Sequence, residues 1–333
     1  MRPKRLLLAS LVALGLAPGL VVRAPPTVHD FASPVRVTPL GIAPQSVGEL
    51  QFEAGWIFES ENDLFGGWSA MVEWLDDSFL AGSDSGRVMV FARPDRADPV
   101  PRLSVIYGLG NDKRGSDLES LSRDPATDEL WAGFENTNSI MRIVRPLRPA
   151  QVFSPPAMAD WPENGGAESL VRLADGSLLV IAERAGDGDL YKALLFPPAT
   201  RELGDPVSFF IQGHEDYRPA DAAALPDGRL LVLLRTFNWG LPLEFPTMLV
   251  LVDPSGLAQD AVLPSRQLAR LPDSLPSDNF EGMAITREGD NEVAIWLISD
   301  DNSWSLQQTT LLKLTWDGTL PSSGVPARQK ARR

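Results

Sequence analysis

The chain has 333 residues, 44% of them hydrophobic, with 27 glycines and 29 prolines, which suits many short strands joined by turns. It carries 44 acidic and 30 basic residues, for a formal net charge of −14. Such a surface repels nucleic-acid phosphates and anionic lipid headgroups, which argues against DNA or RNA binding. The absence of cysteine excludes disulfides, thiolate nucleophiles and zinc sites built on sulfur.

The N-terminus has the pattern of an export signal. A basic segment, Met1–Arg5, precedes the apolar run Leu6–Val22, as in a secretory signal peptide. The run is also close to the minimum length of a membrane span, and no clear small-residue cleavage site follows it. We therefore predict that residues 1–24 are a signal peptide or an uncleaved anchor. The rest of the protein is then periplasmic or secreted, or held at the inner membrane by that anchor.

Five segments of the chain share one pattern: a polar residue, an apolar run, a turn, a second apolar run and a second polar residue. They begin at Ser69, Glu119, Glu168, Asp221 and Glu281, so the steps are 50, 49, 53 and 60 residues. Each segment is typical of a β-hairpin with an Asp/Gly/Pro turn. A repeat of this length, with two visible strands and room for two more, indicates the blade of a β-propeller.

The fold prediction is therefore all-β, with a single propeller over residues 30–318 and a disordered basic tail at 319–333. The length of this region accommodates six blades at the observed period. Two strand-like runs at opposite ends, Leu50–Phe58 and Thr309–Trp316, are left over from the repeats. We expect them to pair in a shared sixth blade, which would close the ring and hide two strand edges.

The polar residues of each hairpin are equidistant from its turn, so they lie opposite each other at the end away from the turn. The second polar positions are Asp84, Glu135, Glu183, Arg235 and Asp300. In a propeller the equivalent hairpin ends converge on the central axis. The sequence thus predicts a ring of carboxyl groups at one rim of the channel.

Crowded carboxylates need a counter-charge, and three ways of supplying it stay open. Some groups are protonated, or Arg235 and other bases neutralise them, or a cation binds. Oxygen ligands without His or Cys suit Ca²⁺ or Mg²⁺, and Ca²⁺ is the predicted cofactor. The predicted metal ligands are Asp84, Glu119, Glu168, Asp221, Glu281 and Asp300. The purely structural alternative is that each polar residue only hydrogen-bonds a turn or a neighbouring blade.

The same positions carry a family resemblance. The matching motifs are Gly66–Ala70, Asp117–Leu121, Ala167–Leu170, Asn279–Met283 and Ile298–Asn302. They resemble the motifs of bacterial phytase-like proteins, a family described by "esterase-like activity of phytase". The resemblance covers the chain from about Gly66 to Trp316, and it implies a propeller, export and phosphoester chemistry.

The residue types favour metal-assisted hydrolysis over a serine triad. No Gly-x-Ser-x-Gly motif is present, and of the two histidines only His214 lies near a repeat. Ca²⁺ in the acidic ring would polarise a phosphoryl or acyl oxygen, with Glu168 or Glu281 as the general base. The residues predicted to bind a substrate anion are Lys113, Arg114, Arg184 and Arg235.

The leading functional prediction is an exported hydrolase, expected to be monomeric, that acts on a small phosphate ester or related ester. Two alternatives stay open: a non-catalytic propeller of the cell envelope that binds a ligand or a protein, and a calcium-dependent lactonase. The apolar segment Thr236–Pro246 is predicted to be either a lid over the channel mouth or a packed connection between blades.

Overall fold

The computed structural model describes residues 29–75, 77–106, 117–124, 126–162, 164–184, 189–198, 202–214, 216–240, 243–289, 292–302 and 307–318. The predicted signal or anchor at 1–24, the tail at 319–333, and Lys113 and Arg114 lie outside these residues. Within the described ranges, no helix combines the length and the apolarity needed to cross a membrane.

The chain forms five sheets, antiparallel except for one short parallel pairing in blade 3. Three N-terminal strands come first: β1 (Arg36–Pro39), β2 (Gln45–Val47) and β3 (Leu50–Glu59). Blade 1 contains β4 (Trp68–Glu73), β5 (Ser78–Ser83), β6 (Arg87–Ala92) and β7 (Arg102–Val105). Blade 2 contains β8 (Leu118–Arg123), β9 (Leu130–Phe134), β10 (Ser139–Val144) and β11 (Arg148–Phe153), and a 3₁₀ helix (Pro156–Met158) follows it.

In the next two blades, one short strand from the chain segment of blade 4 joins the sheet of blade 3. Blade 3 contains β12 (Ala167–Arg172), β13 (Leu178–Ala182), β14 (Leu190–Phe196) and β15 (Val207–Gln212). Blade 4 contains β16 (Arg218–Ala224), β17 (Leu230–Arg235), β18 (Thr247–Val252) and β20 (Ser265–Arg270), with a 3₁₀ helix (Pro254–Gly256) after β18. Between β18 and β20, β19 (Val262–Leu263) returns to blade 3, where it pairs in parallel with β15.

Blade 5 joins the two ends of the propeller region. It contains β21 (Phe280–Arg287), β22 (Val293–Ser299) and β23 (Thr309–Trp316), followed in the sheet by β3 and β1. The pairing of β3 with β23 runs from Thr309 opposite Phe58 to Thr315 opposite Gln51. The prediction of six blades was wrong, and the described sheets number five. Both terminal runs add to the sheet of the last repeat instead of forming another blade.

The five blades have a propeller arrangement. Their innermost strands are β4, β8, β12, β16 and β21, and each contacts the innermost strand of the blade before and after it. Between the blades lies the apolar core, where Trp68 and Phe79 of blade 1 pack with Trp296 of blade 5. Strands β18 and β22 are buried along their whole length. Burial on both faces explains why these strands are continuously apolar instead of alternating.

A buried ion-pair network joins blade 1 to blade 5. Arg93, whose side chain is 1% exposed, contacts Asp95 at 2.8 Å and Glu288 at 2.6 Å. Its Nη1 donates to Thr286 Oγ1 at 3.2 Å, and its guanidinium lies over the Trp296 ring at 5.1 Å. Since Arg93 follows β6 while Thr286 and Glu288 belong to the β21–β22 hairpin, the network ties the first blade to the last.

We expect Arg93→Met to lower the free energy of unfolding by about 1.5–3 kcal/mol, because Asp95 and Glu288 lose a charge-assisted hydrogen bond but keep Lys313 and Arg96 as partners. Urea denaturation measures the change. The matched control is Arg266→Met, which removes an arginine that is 53% exposed and paired with the exposed Glu49, away from this network. This control should cost less than about 1 kcal/mol. Equal effects of the two substitutions would show that the buried network does not stabilise the junction.

Candidate functional site

A polar cavity of about 360 Å³ lies where the innermost strands of the five blades begin. Eight carboxyl groups line it: Asp84, Asp117, Glu119, Glu135, Glu168, Glu183, Glu281 and Asp300. Two guanidinium groups, Arg184 and Arg235, and four neutral polar residues, Ser69, Asn136, Asn164 and Asn302, complete the lining. If every carboxyl were ionised, six negative charges would lack a counter-charge within the lining. The cavity therefore favours protons or cations.

A β-bulge in each innermost strand places the first set of side chains. The register with the second strand skips one residue at the same point of every blade, and the skipped residues are Ser69, Glu119, Glu168, Ala220 and Glu281. A bulge bends its strand and re-aims the extra side chain. Four of the five bulged residues line the cavity, and Ala220 is the exception.

In four blades the second strand supplies its cavity-lining side chain one residue beyond the ladder, whereas Arg235 of blade 4 is the last ladder residue, opposite Arg218. The Asp84 amide donates to Gly67 O at 3.1 Å, and the Glu135 amide donates to Asp117 O at 3.1 Å. The Asp300 amide makes the same kind of bond to Asn279 O at 2.8 Å. These bonds hold the acidic residues at the cavity rim. All five predicted second positions, including Arg235, line the cavity.

Asp221 does not line the cavity, in contrast to its predicted place in the ring. It lies one position after the bulge, where the other blades have Ala70, Ser120, Ser169 and Gly282. The repeat alignment was one residue out of register in this blade. A signal in the sequence would have corrected it: the Asp175-Gly176 and Asp227-Gly228 turns are 52 residues apart, and the same offset from Glu168 leads to Ala220.

The carboxyl group of Asp221 instead joins two blades. Its two oxygens accept hydrogen bonds from the backbone amides of Met283 and Ala222, each at 2.7 Å. Asp221 is 1% exposed, and burial raises its pKa well above the usual range although both hydrogen bonds oppose the rise. Asp221 has the same repeat position as Ser120 of blade 2, whose hydroxyl donates to Ala167 O of the following blade at 2.8 Å.

Asp221→Ala should therefore reduce stability without reducing affinity for a cation. Two buried amides would lose their acceptor, which costs about 1–3 kcal/mol of unfolding free energy. Urea denaturation combined with Ca²⁺ titration of the folded variant measures both quantities. A loss of Ca²⁺ affinity with unchanged stability would return Asp221 to the ligand set.

Two arginines partly neutralise the cavity. Arg235 Nη2 lies 3.0 Å from Glu281 Oε1, and Arg184 Nε lies 2.9 Å from Glu183 Oε2. Asn279 Nδ2 donates to the same Glu281 oxygen at 2.8 Å. Burial opposes the charge of Arg235, but the surrounding carboxylates outweigh burial and raise its pKa further. Arg235 is therefore a permanent cation at the centre of the acidic cluster.

The carboxyl groups have raised pKa values because they are desolvated and crowded. For Glu119, burial raises the pKa well above the usual range, and the charge of Glu281 adds to the rise. The pKa of Glu168 is also raised well above the usual range, first by burial and then by the charge of Glu119, and Arg235 opposes both effects. Burial also raises the pKa of Glu281, although Arg235 acts against it. Without a bound cation, burial and crowding favour the protonated forms of these groups.

Two groups of three carboxylates have the geometry of a cation site. One is Asp117, Glu119 and Glu135, and the other is Glu135, Glu168 and Glu183; within each group one oxygen per residue lies within 4.8 Å of the others. Glu135 belongs to both groups. Oxygen-only ligands of this kind fit Ca²⁺. Such a site would use Glu119 and Glu168 from the predicted ligand set.

Three members of these groups, Asp117, Glu135 and Glu183, were missing from the predicted ligands. The sequence held a signal for each of them. Glu135 and Glu183 occupy the same repeat position as Asp84 and Asp300, which were among the predicted ligands. Asp117 lies two residues before Glu119 in the same motif.

His214 lies outside the cavity lining, on the outer side of blade 3. Its Nε2 is 3.0 Å from Ser265 Oγ, and its backbone amide donates to the Tyr191 hydroxyl at 3.1 Å. Ser265 Oγ also donates to Gln212 O at 2.6 Å. These contacts explain the position of His214 structurally, and they give it no place beside the carboxyl groups.

The carboxyl cluster predicts an unusual pH dependence of stability. Burial raises the pKa of Asp300 to about 8, and the charge of Glu281 adds to the rise. An unfolded Asp has a pKa of about 3.9, so the folded state binds this proton more tightly. The resulting stabilisation is complete below pH ~4 and is lost as the pH rises through about 8.

In a chelating buffer, we expect the free energy of unfolding to fall between pH 5 and pH 8. Asp300→Asn should make this fall smaller by about 1 kcal/mol or more, because the amide does not titrate. Carboxyls with lowered pKa values, such as Asp95 and Asp124, change protonation at more acidic pH and do not cancel the effect. Urea denaturation at several pH values measures it; identical curves for the two proteins would contradict the raised pKa.

Comparison with known proteins identifies a family over most of the chain. The family model described as "Phytase-like: Esterase-like activity of phytase" matches residues 63–303. That range contains the cavity-lining residues of all five blades. Among curated proteins, none matches the chain.

Several solved structures resemble the fold at low identity. A gluconolactonase from Xanthomonas campestris is 14% identical, covering 88% of this chain and 97% of that one, with a TM-score of 0.42. A PQQ-bound aldose sugar dehydrogenase from Streptomyces coelicolor is 13% identical, with coverages of 88% and 100% and a TM-score of 0.44. The Cps50 (Swd1) β-propeller domain of Myceliophteria thermophila is 11% identical, with coverages of 85% and 99% and a TM-score of 0.40. Similarities this weak do not bear on activity.

Proposed function

The chain belongs to the phytase-like family, and from this premise we propose that it hydrolyses a phosphate ester or a related ester in the acidic cavity. The observation that carries the proposal is the convergence of eight carboxyl and two guanidinium groups from the five blades on one small space. A purely structural role would need only hydrogen-bond donors around each carboxyl group, as the two backbone amides at Asp221 show. The cavity instead concentrates like charges that destabilise one another.

The two carboxylate groups that share Glu135 would hold the divalent cation. When bound, Ca²⁺ supplies a Lewis acid for a phosphoryl or acyl oxygen and lowers the pKa of a water molecule. Coordination would favour the ionised forms of these carboxyl groups, because the charge of a cation offsets the burial and mutual repulsion that raise their pKa values. This ligand set explains how so many acidic residues are accommodated in one cavity.

Glu281 is the proposed general base. It lies outside both carboxylate groups, so it does not compete for the cation. Burial raises its pKa, which suits a proton acceptor, while the contacts with Arg235 and Asn279 act against that rise and favour the charged form that accepts a proton from water. Glu168, the other predicted base, is assigned to the cation because it lies in one of the groups.

Arg235 and Arg184 are the proposed anion-binding residues. Arg235 uses one nitrogen for Glu281, and its buried Nε has no hydrogen-bond partner among the described residues. Arg184 is 59% exposed at the rim, where it would meet an entering substrate. Both side chains attract the negative oxygens of a phosphate ester and stabilise the charge that develops during hydrolysis.

The experiment separates cation binding from catalysis. Isothermal titration with Ca²⁺ should show binding by the wild type, at least about tenfold weaker binding by Glu135→Gln, and weaker binding by Glu168→Gln. Glu281→Gln should bind Ca²⁺ but lose about 10²–10⁴-fold in kcat on the aryl phosphate or ester that the wild type turns over best. Assays with phosphate esters, carboxylic esters and lactones define the reaction class.

The matched control is Glu73→Gln, which makes the same chemical change at the other end of the channel. Glu73 lines a second cavity, of about 740 Å³, beside the hairpin turns. This variant should keep both Ca²⁺ binding and turnover. A wild type that neither binds Ca²⁺ nor gains thermal stability from it contradicts the cation site. A wild type that binds Ca²⁺ but hydrolyses none of the compounds is a non-catalytic binding protein.

A further inference from the structure

An aromatic cluster of Phe237, Trp239 and Phe245 lies on the chain segment that follows Arg235, one of the residues lining the acidic cavity. Strand β17 ends at Arg235, and the chain continues as an extension of the β17–β18 hairpin. In this extension the Thr236 amide donates to Pro246 O at 3.0 Å, and the Asn238 amide donates to Glu244 O at 2.9 Å. The extended backbone carries Trp239 about 13 Å beyond Arg235 along the strand direction. The hairpin therefore projects from the rim of the cavity.

The cluster is ordered by its own contacts. The ring centroids of Phe237 and Trp239 are 4.9 Å apart in an edge-on arrangement, and those of Phe237 and Phe245 are 5.2 Å apart. The Phe245 amide donates to Ser277 Oγ at 2.9 Å, on the segment that leads into the strand of Glu281. The hairpin is thus attached to blades 4 and 5, whose residues Arg235 and Glu281 form the ion pair in the cavity.

Trp239 is nevertheless 88% exposed, while Phe237 is 37% exposed. A tryptophan fixed by its neighbours but open to solvent presents a flat apolar face at little cost in conformational entropy. The cavity itself is lined by polar and charged residues, so it offers no apolar face on which a ring could lie. A substrate that contacts both must combine a small charged ester group with a ring.

We propose that Trp239 is a substrate-binding residue that stacks on an aromatic or sugar ring in the alcohol part of the ester. This inference rests on the proposed function, since the cavity must hold the ester group while the ring lies on Trp239. It assigns the substrate class as ring-bearing phosphate or carboxylic esters. Esters of small alkyl alcohols gain nothing from the cluster.

Kinetics in the presence of Ca²⁺ test the assignment with 2-naphthyl phosphate and methyl phosphate. Trp239→Ala should raise KM for the naphthyl ester about three- to tenfold and leave its kcat unchanged. Neither KM nor kcat for methyl phosphate should change. Trp239→Phe should restore most of the loss. The control Val152→Ala shortens an exposed apolar side chain of blade 2 and should change neither KM nor kcat for either ester.

A binding measurement separates failure of this inference from failure of the proposed function. Titration with 2-naphthylmethylphosphonate and methylphosphonate, which are not hydrolysed, should show the same three- to tenfold selective loss in Trp239→Ala. If the wild type turns over neither ester but the binding difference persists, only the hydrolytic function fails. Equal affinities of wild type and Trp239→Ala for the naphthyl compound overturn the role of Trp239.

The alternative occupant of an exposed tryptophan is a lipid surface. Sedimentation with phosphatidylcholine vesicles tests it directly, and we expect no difference between wild type and Trp239→Ala. Loss of vesicle binding in the variant, together with unchanged naphthyl affinity, would assign the cluster to a membrane and overturn the proposal.

Discussion

The bulge in each innermost strand is the constraint on which the cavity depends. It adds one residue to the strand at the same point of all five blades, and the hairpin ladder resumes on either side of it. In a regular ladder without the bulge, the strict alternation of side chains would direct the residues at these positions, Glu119, Glu168 and Glu281, to a different face of their sheets. The bulge thus brings these side chains together with those that follow the second strands.

Crowding of these carboxyl groups opposes folding, and the rest of the molecule offsets it. The apolar core between blades and the buried network around Arg93 stabilise the ring of innermost strands. Arg235 supplies a fixed positive charge, and protons or a cation supply the remainder. The unfavourable concentration of charge therefore depends on a scaffold that is stable for other reasons, as is expected of a functional site.

Much of the fold and of the site could be predicted from local pattern. Hairpins centred on Asp/Gly/Pro turns indicated the blades, and equidistance from the turn placed Asp84, Glu135, Glu183, Arg235 and Asp300 at one rim. The prediction failed where one residue decided the outcome. Asp221 was chosen because it is acidic and lies near the right place, whereas the register assigns Ala220 to the bulge and Asp221 to a contact between blades.

The amino-acid sequence by itself determined the repeat, the all-β class and most of the side chains that line the cavity, because turns and strand alternation are local properties. Tertiary structure alone decided the number of blades, since β3 joins β23 across the length of the chain in the sheet of the last repeat. It also decided that Glu135 belongs to both carboxylate groups and that Glu281 pairs with Arg235. Those relations depend on distances between different blades, which no single hairpin specifies.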